Sequence, residues 1–218
     1  MIDSYEALIG EYISKEDFFK FGLEKTIYIP QDKVEKGWKR IKDNLNNNKA
    51  IYMRGFKDST STRISSTFYT AMFKNDYVKK DPSNTQNPAK LIEELSGYKK
   101  SKDLRNYQLA SVFGKGRNAL AFNAPWNIVY IPSILDPLLS ADSNSTLAKE
   151  YQEEFQKHVY KKFKTYINEY NDIVGNHHFL RVMDEFFQRM FEDGFYDREV
   201  LAKFETIIRE DFKVIKFN

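Results

Sequence analysis

The sequence contains no cysteine, which excludes disulfide bonds, thiolate catalysis and zinc sites with cysteine ligands. It also lacks any apolar run that approaches the roughly 18 residues of a transmembrane helix. The first residues, MIDSYEALIGEYISKEDFF, are acidic and do not show the basic and then apolar order of a signal peptide. We therefore expect a cytoplasmic protein that does not associate with a membrane.

Histidine is scarce as well, since the 218 residues include only His158, His177 and His178. Neighbouring side chains on a helix point about 100° apart, so His177 and His178 are poorly placed to bind one ion together. The chain has no HExxH, GxGxxG, GxSxG or Walker A sequence. These absences exclude the common metalloprotease, dinucleotide-binding, serine hydrolase and P-loop motifs.

The net charge of +3 conceals an uneven distribution along the chain. Residues 1–30 carry 3 basic and 6 acidic side chains, residues 31–130 carry 19 and 9, and residues 131–218 carry 12 and 16. A basic middle between acidic ends is typical of a surface that faces a polyanion. Solvated lysines on helix surfaces are the alternative interpretation, and no basic block is dense enough to decide between the two.

Hydrophobic periodicity predicts an α+β fold. Short N-terminal helices precede an amphipathic helix over Gln31–Asn46, a strand over Ala50–Arg54, a glycine loop and a further helix. The polar segment Asn75–Pro88 has the composition of a linker. Three aromatic helical stretches are predicted near the C-terminus: Thr146–Val174, Phe179–Phe191 and Val200–Phe212. We expect a mixed domain over residues 1–142 and a helical region over residues 143–218 packed on it, or one domain over residues 1–218.

The stretch from Asn106 to Pro137 is the most informative part of the chain. Two β-rich runs, Tyr107–Phe113 and Trp126–Ile131, flank a loop with two glycines, and together they predict a β-hairpin with a long connection. Basic side chains lie just before the hairpin and within its loop, as expected of a nucleic-acid surface built on strands. The predicted contact residues are Lys99, Lys100, Lys102, Arg105, Tyr107, Lys115, Arg117 and Asn118.

A strand, then Val-Phe-Gly, a basic residue and an Asn, then Trp-Asn-Ile before a second strand resembles HNH-type (ββα-metal) restriction-endonuclease-like proteins over about residues 103–142. The resemblance implies that Asn127 braces the loop and that Ser111 or Ala110 stands where a general-base histidine is expected. It places the third metal-site position near Ala141 or Asp142. Asp136 and Asp142 are the acids available there to help hold Mg²⁺. The catalytic histidines are therefore missing, which implies a chemically degenerate copy.

The leading hypothesis is a DNA-binding protein related to these nucleases. Restriction-type nucleases usually bind two-fold-symmetric DNA sites as dimers, so the resemblance also implies a homodimer. A second hypothesis is an active Mg²⁺-dependent nuclease whose base and metal ligands lie elsewhere, with Asp136, Asp142 and His177 as candidates. A third is a phage or mobile-element factor that inhibits a host enzyme and binds it through the aromatic C-terminal helices.

Overall fold

The computed structural model describes residues 3–139 and 145–217 and consists of helices packed around a small sheet. Its helices are α1 (Ser4–Glu11), α2 (Lys15–Lys25), α3 (Gln31–Asn46), α4 (Ser59–Phe73), α5 (Gln86–Ser96), α6 (Lys100–Asp103), α7 (Ala119–Phe122), α8 (Asp136–Leu139), α9 (Thr146–Lys162), α10 (Lys164–Val174), α11 (His177–Asp193) and α12 (Arg198–Asp211). Its strands are β1 (Ile27–Tyr28), β2 (Ile51–Met53), β3 (Val78–Lys80), β4 (Tyr107–Ser111) and β5 (Ile128–Pro132). The predicted α+β class is confirmed.

The predicted hairpin forms the main sheet. Strand β5 lies in the centre and pairs antiparallel with β1 on one side and β4 on the other. Tyr107 is opposite Pro132 and Ser111 is opposite Ile128. All five residues of β5 are buried, whereas β4 at the edge of the sheet is only partly covered. The long hairpin is confirmed, with a connection that contains the short helix α7.

A second, parallel pair of strands was not predicted. Strand β2 pairs with β3 from Ile51 opposite Val78 to Met53 opposite Lys80. Strand β3 and the start of α5 lie within the segment that composition identified as a linker. Only Val78 of the three β3 residues is even partly buried. A strand this short and exposed has no alternating hydrophobic pattern by which sequence analysis can detect it.

The core around the hairpin is built from aromatic side chains. Trp126, just before β5, is fully buried, and its ring contacts Trp38 of α3, Tyr170 of α10 and Phe113 of the hairpin loop at centroid distances of 5.5–6.1 Å. Edge-to-face pairs of this kind contribute about 0.5–1.5 kcal/mol each beyond the burial of their area. The loop is therefore anchored to helices from both halves of the chain.

A second aromatic group joins the C-terminal helices to α4. Phe68 of α4 is fully buried and meets Phe186 and Phe187 of α11, Phe204 of α12 and Phe212. One continuous hydrophobic cluster thus contains residues from both of the predicted regions. The predicted helix over Thr146–Val174 is two helices, because the chain bends at the buried Phe163. The 3–4 spacing of apolar residues continues across this bend, so periodicity did not reveal it.

Candidate nucleic-acid interface

The loop between β4 and β5 is held from inside by Asn127. Its side-chain oxygen accepts a hydrogen bond from the backbone N–H of Phe113 at 2.8 Å. Its amide nitrogen donates to the carbonyl of Ala121 at 2.8 Å and to that of Gly114 at 3.2 Å. Asn127 is fully buried, and buried amide groups of this kind need all of these partners. The residue therefore braces the loop, which is the position that the resemblance assigned to it.

Lys115 lies in this loop but is turned toward the protein. Gly114 and Lys115 both have left-handed backbone, with φ of +64° and +58°. This conformation costs a lysine about 1 kcal/mol or more. The Lys115 ammonium donates to the carbonyl of Glu210 at the end of α12, at 3.2 Å, and burial lowers its pKa. This orientation does not support the predicted contact of Lys115 with nucleic acid, because the ammonium group faces α12.

The next two residues also serve the packing of the loop. The backbone N–H of Arg117 donates to the Asp211 carboxylate at 2.5 Å, and its guanidinium lies 5.0 Å from the centroid of the Phe56 ring. Asn118 is fully buried, caps α7 and donates to the hydroxyl of Tyr170 at 3.0 Å. Nucleic acid has no access to the Asn118 side chain in this structure. Burial also raises the pKa of Asp211, although the Arg117 N–H and the nearby cations oppose that shift.

The basic segment before the hairpin is exposed to solvent. It comprises Lys99, Lys100, Lys102 and Arg105, which surround the short helix α6. Lys100 donates to the side chain of Gln108 in β4 at 2.9 Å, and no ion pair of the described residues involves the four cations. The ring of Tyr98 beside them is 47% exposed. Tyr107 is less available, because its hydroxyl donates to the Lys25 carbonyl at 3.0 Å.

Two further cations each lie against a glycine, and one of them, Arg54, lies near Ser111 at the opposite end of β4. A Cβ atom on Gly116 would be 3.2 Å from the Arg54 side chain, and one on Gly55 would be only 2.3 Å from that of Lys80. Neither glycine has a positive φ, and a side chain at either position would require the Arg54 or Lys80 side chain to shift. Arg54 and Lys80, named here the seated cations, are exposed and have no ion pair with any described residue.

Neither seated cation is among the nucleic-acid contact residues predicted from the sequence, although Arg54 borders a glycine loop that is a plausible phosphate contact. Arg-Gly at 54–55 and Gly-Arg at 116–117 were visible in the sequence, but a glycine that makes room for a distant side chain leaves no local pattern. The backbone brings them together, because the Arg54 N–H donates to the Gly116 carbonyl at 2.8 Å. A tertiary contact of this kind is outside the reach of motif spacing.

The described positions that the resemblance assigned to catalysis are not part of a side-chain cluster that could hold a metal ion. Ser111 is exposed at the end of β4, and its hydroxyl donates to the Gly114 carbonyl at 2.8 Å. Asp136 is exposed at the start of α8, and Asp142 lies outside the described residues. Within residues 3–139 and 145–217, no three His, Cys, Asp or Glu side chains are grouped so that they could hold a metal ion. The described residues therefore do not fit a ββα-metal site.

The aromatic faces of the C-terminal helices are directed into the core. The buried aromatic residues of this region are Tyr151, Phe155, Phe163, Tyr170, Phe179, Phe186, Phe187, Phe204 and Phe212. Leu180 and Phe195, at 42% and 80% exposure, are its large apolar side chains that remain on the surface. The third hypothesis relied on these aromatic faces for a protein partner, and they instead pack within the chain. No helix among the described residues combines the length and the apolar character needed to cross a membrane.

Comparison with known proteins supports one assignment. Residues 29–217 match the family described as "Uncharacterised protein PM1201", a span that includes the hairpin, the basic segment and both seated cations. A relative from Pasteurella multocida (strain Pm70) carries the same description and is 35% identical over 164 residues, which cover 74% of this chain and 74% of that protein. No solved structure matches the chain. The chain therefore belongs to the PM1201 family.

Proposed function

We propose that the protein binds DNA along the exposed edge strand β4, as a relative of HNH-type restriction endonucleases that has lost the catalytic histidines. The observation that carries this proposal is the placement of unpaired cations at both ends of β4. Lys100 contacts Gln108 near the start of the strand, and Arg54 lies with Ser111 at its end. Five strand residues span about 14 Å, which equals about four nucleotide steps measured along the axis of a duplex.

These cations differ from many others on the surface. Arg40 forms a two-pronged ion pair with Glu94, and Arg209 contacts both Asp184 and Glu205. Such exposed pairs neutralise charge and contribute little to stability. Cations without an acidic partner are free to replace the counterions of a polyphosphate backbone, which is the main source of affinity for DNA. The exposed Tyr98 ring adds a surface on which an unpaired base can stack.

The test is a titration of the purified protein against a short DNA duplex and plasmid at two salt concentrations. The variant to compare carries glutamine at all four positions of the basic segment, 99, 100, 102 and 105. Each lost phosphate contact lowers the salt dependence by about 0.9 units of logarithmic slope, so loss of all four contacts should lower it by about 3.6 units. The matched control replaces four other exposed lysines without ion pairs, namely Lys149, Lys161, Lys164 and Lys203.

Unchanged affinity and salt slope in the variant of the basic segment would refute the surface assignment. Equal losses in the variant and the control would mean that net charge alone governs binding. The titration is repeated with Mg²⁺ or Mn²⁺ and scored for cutting, because metal-dependent cleavage that disappears in Asn127→Ala would favour the hypothesis of an active nuclease. Light scattering of the same samples tests the proposed homodimer, and a DNA-binding role accords with the proposed location in the cytoplasm.

A further inference from the structure

A recess lies beside the seated cation Arg54 and the last residues of β4. Its floor is apolar and is formed by Pro88, Leu109 and Ile128. Its rim is polar and is formed by Arg54, Asn84 and Ser111. The recess has a volume of about 80 Å³, which corresponds to about three water molecules at the volume that water occupies in the liquid. A site with an apolar floor and a few polar groups at its rim suits a small flat ring that has polar edges.

The turn that forms one wall of the recess is held by a buried carboxylate. Asp81 is fully buried and accepts hydrogen bonds from the backbone N–H groups of Ser83, Gln86 and Asn87 and from the Asn87 side chain, at 2.7–3.1 Å. Burial opposes the charge of Asp81, but these hydrogen bonds outweigh it and lower the pKa of the carboxyl group. The wall is therefore formed before any ligand arrives.

The hydrogen-bonding groups at the rim are mainly donors. The Asn84 side-chain oxygen accepts from the Gly55 N–H at 2.8 Å, which fixes the amide and leaves its NH₂ group without a partner among the described residues. The Arg54 guanidinium adds further donors. The aliphatic part of its side chain packs against Gly116, and the residue lines the recess together with Asn84. The Ser111 hydroxyl donates to the Gly114 carbonyl and keeps its lone pairs as acceptors. A ligand with carbonyl oxygens on its edge satisfies this arrangement.

We propose that the recess holds one unstacked pyrimidine base of a DNA strand, with an adjoining phosphate on Arg54. This inference rests on the proposed function and adds to it a preference for unpaired DNA. The apolar floor excludes a phosphate group as the buried part of the ligand, because a charge placed there has no compensating partner. The small size favours a pyrimidine over a purine. A base stacked within a duplex cannot enter the recess, so the recess binds a base of a single strand or a base that has left the stack.

The experiment compares thymine, adenine and duplex oligonucleotides of equal length at low salt. We expect the wild-type protein to bind the thymine strand about tenfold more tightly than the adenine strand, within the range that one well-formed contact to a base provides. Ser111→Leu fills the recess and should abolish this preference. Its matched control is Ser111→Ala, which loses the same hydrogen bond to Gly114 without filling the recess and should keep the preference.

A second pair of variants tests the cation. Arg54→Gln should weaken binding of the thymine strand several-fold. Its control is Arg198→Gln, which changes an exposed arginine at the start of α12. The hairpin loop contacts the opposite end of this helix, at Asp211, about 20 Å along the helix axis. The control should therefore bind as wild type does. A fluorescent base analogue within the thymine strand should report unstacking with the wild type and with Ser111→Ala, but not with Ser111→Leu.

The outcomes separate the two proposals. If the wild type binds no DNA of any kind at low salt, the proposed function fails and this inference fails with it. If it binds DNA but shows no preference between thymine and adenine, or if Ser111→Leu retains the preference, the recess is not a base site and the proposed function still stands. Thermal melting of each variant identifies loss of binding that is due to loss of folding.

Discussion

Replacement of Asn127 by alanine should destabilise the hairpin loop and, through it, the whole chain. The substitution removes three hydrogen bonds, those with Phe113, Ala121 and Gly114. Gly114 is exposed, so water can replace its lost partner, whereas Ala121 is buried and Phe113 is half-buried. Each buried polar group left without a partner costs about 1–3 kcal/mol. We therefore expect a loss of about 3 kcal/mol.

A loss of this size is easily measured in a chain of this length. The melting temperature of domains with 150–250 residues falls by about 2–4 °C for each kcal/mol, so Asn127→Ala should melt about 6–12 °C below the wild type. Urea unfolding followed by tryptophan fluorescence provides the free energy directly. Trp126 is a suitable reporter because it is adjacent to the substitution and fully buried.

Two further variants make the interpretation specific. Asn46→Ala changes an exposed asparagine at the end of α3 and should alter the free energy of unfolding by no more than about 0.5 kcal/mol. Asn127→Asp keeps the acceptor for the Phe113 N–H but places a carboxylate against two carbonyl oxygens, so at neutral pH it should be less stable than Asn127→Ala. If Asn127→Ala unfolds at the same urea concentration as Asn46→Ala, the loop is not held by this side chain and the reasoning fails.

Two other regions give equally direct predictions. A Cβ atom on Gly22 would lie 2.3 Å from the hydroxyl oxygen of Tyr151, which is buried without a partner among the described residues. Gly22→Ala should therefore cost about 1–3 kcal/mol. Tyr151→Phe should recover part of that cost, since it removes the shortest contact but leaves the ring carbon Cε2 and Leu135 Cδ1 at 2.9 Å. A double-mutant cycle in urea tests this, and strictly additive effects would contradict it. Burial raises the pKa of Asp211, so its contribution to stability is fully present below the ordinary carboxyl value near 3.8 and is lost as pH rises through the higher folded value. Asp211→Asn, which keeps an acceptor for the Arg117 N–H, should show a smaller decline in unfolding free energy over that pH range, and an unchanged pH profile would refute the assignment.

Local patterns predicted the elements that depend on local interactions. Helix α3 begins and ends at the predicted residues, Gln31 and Asn46, because a regular apolar face determines it. The two runs of the hairpin were also evident, since β-branched and aromatic residues mark strands wherever they pack. Strand β3 was missed, because its stability comes from pairing with β2 and from the buried Asp81 that follows it. Neither feature produces a periodic signal.

The candidate site shows the same division. The sequence by itself determined that the chain is basic in its middle and that the common catalytic motifs are missing. The bracing role of Asn127 was implied only by the resemblance, and its hydrogen bonds are a feature of the tertiary structure. Only the tertiary structure decided which cations face solvent. It turned Lys115 toward α12 and seated Arg54 and Lys80 on glycines from other segments. The physical reason is that charge is a property of a residue, whereas exposure and partnership are set by distant parts of the chain that pack against it.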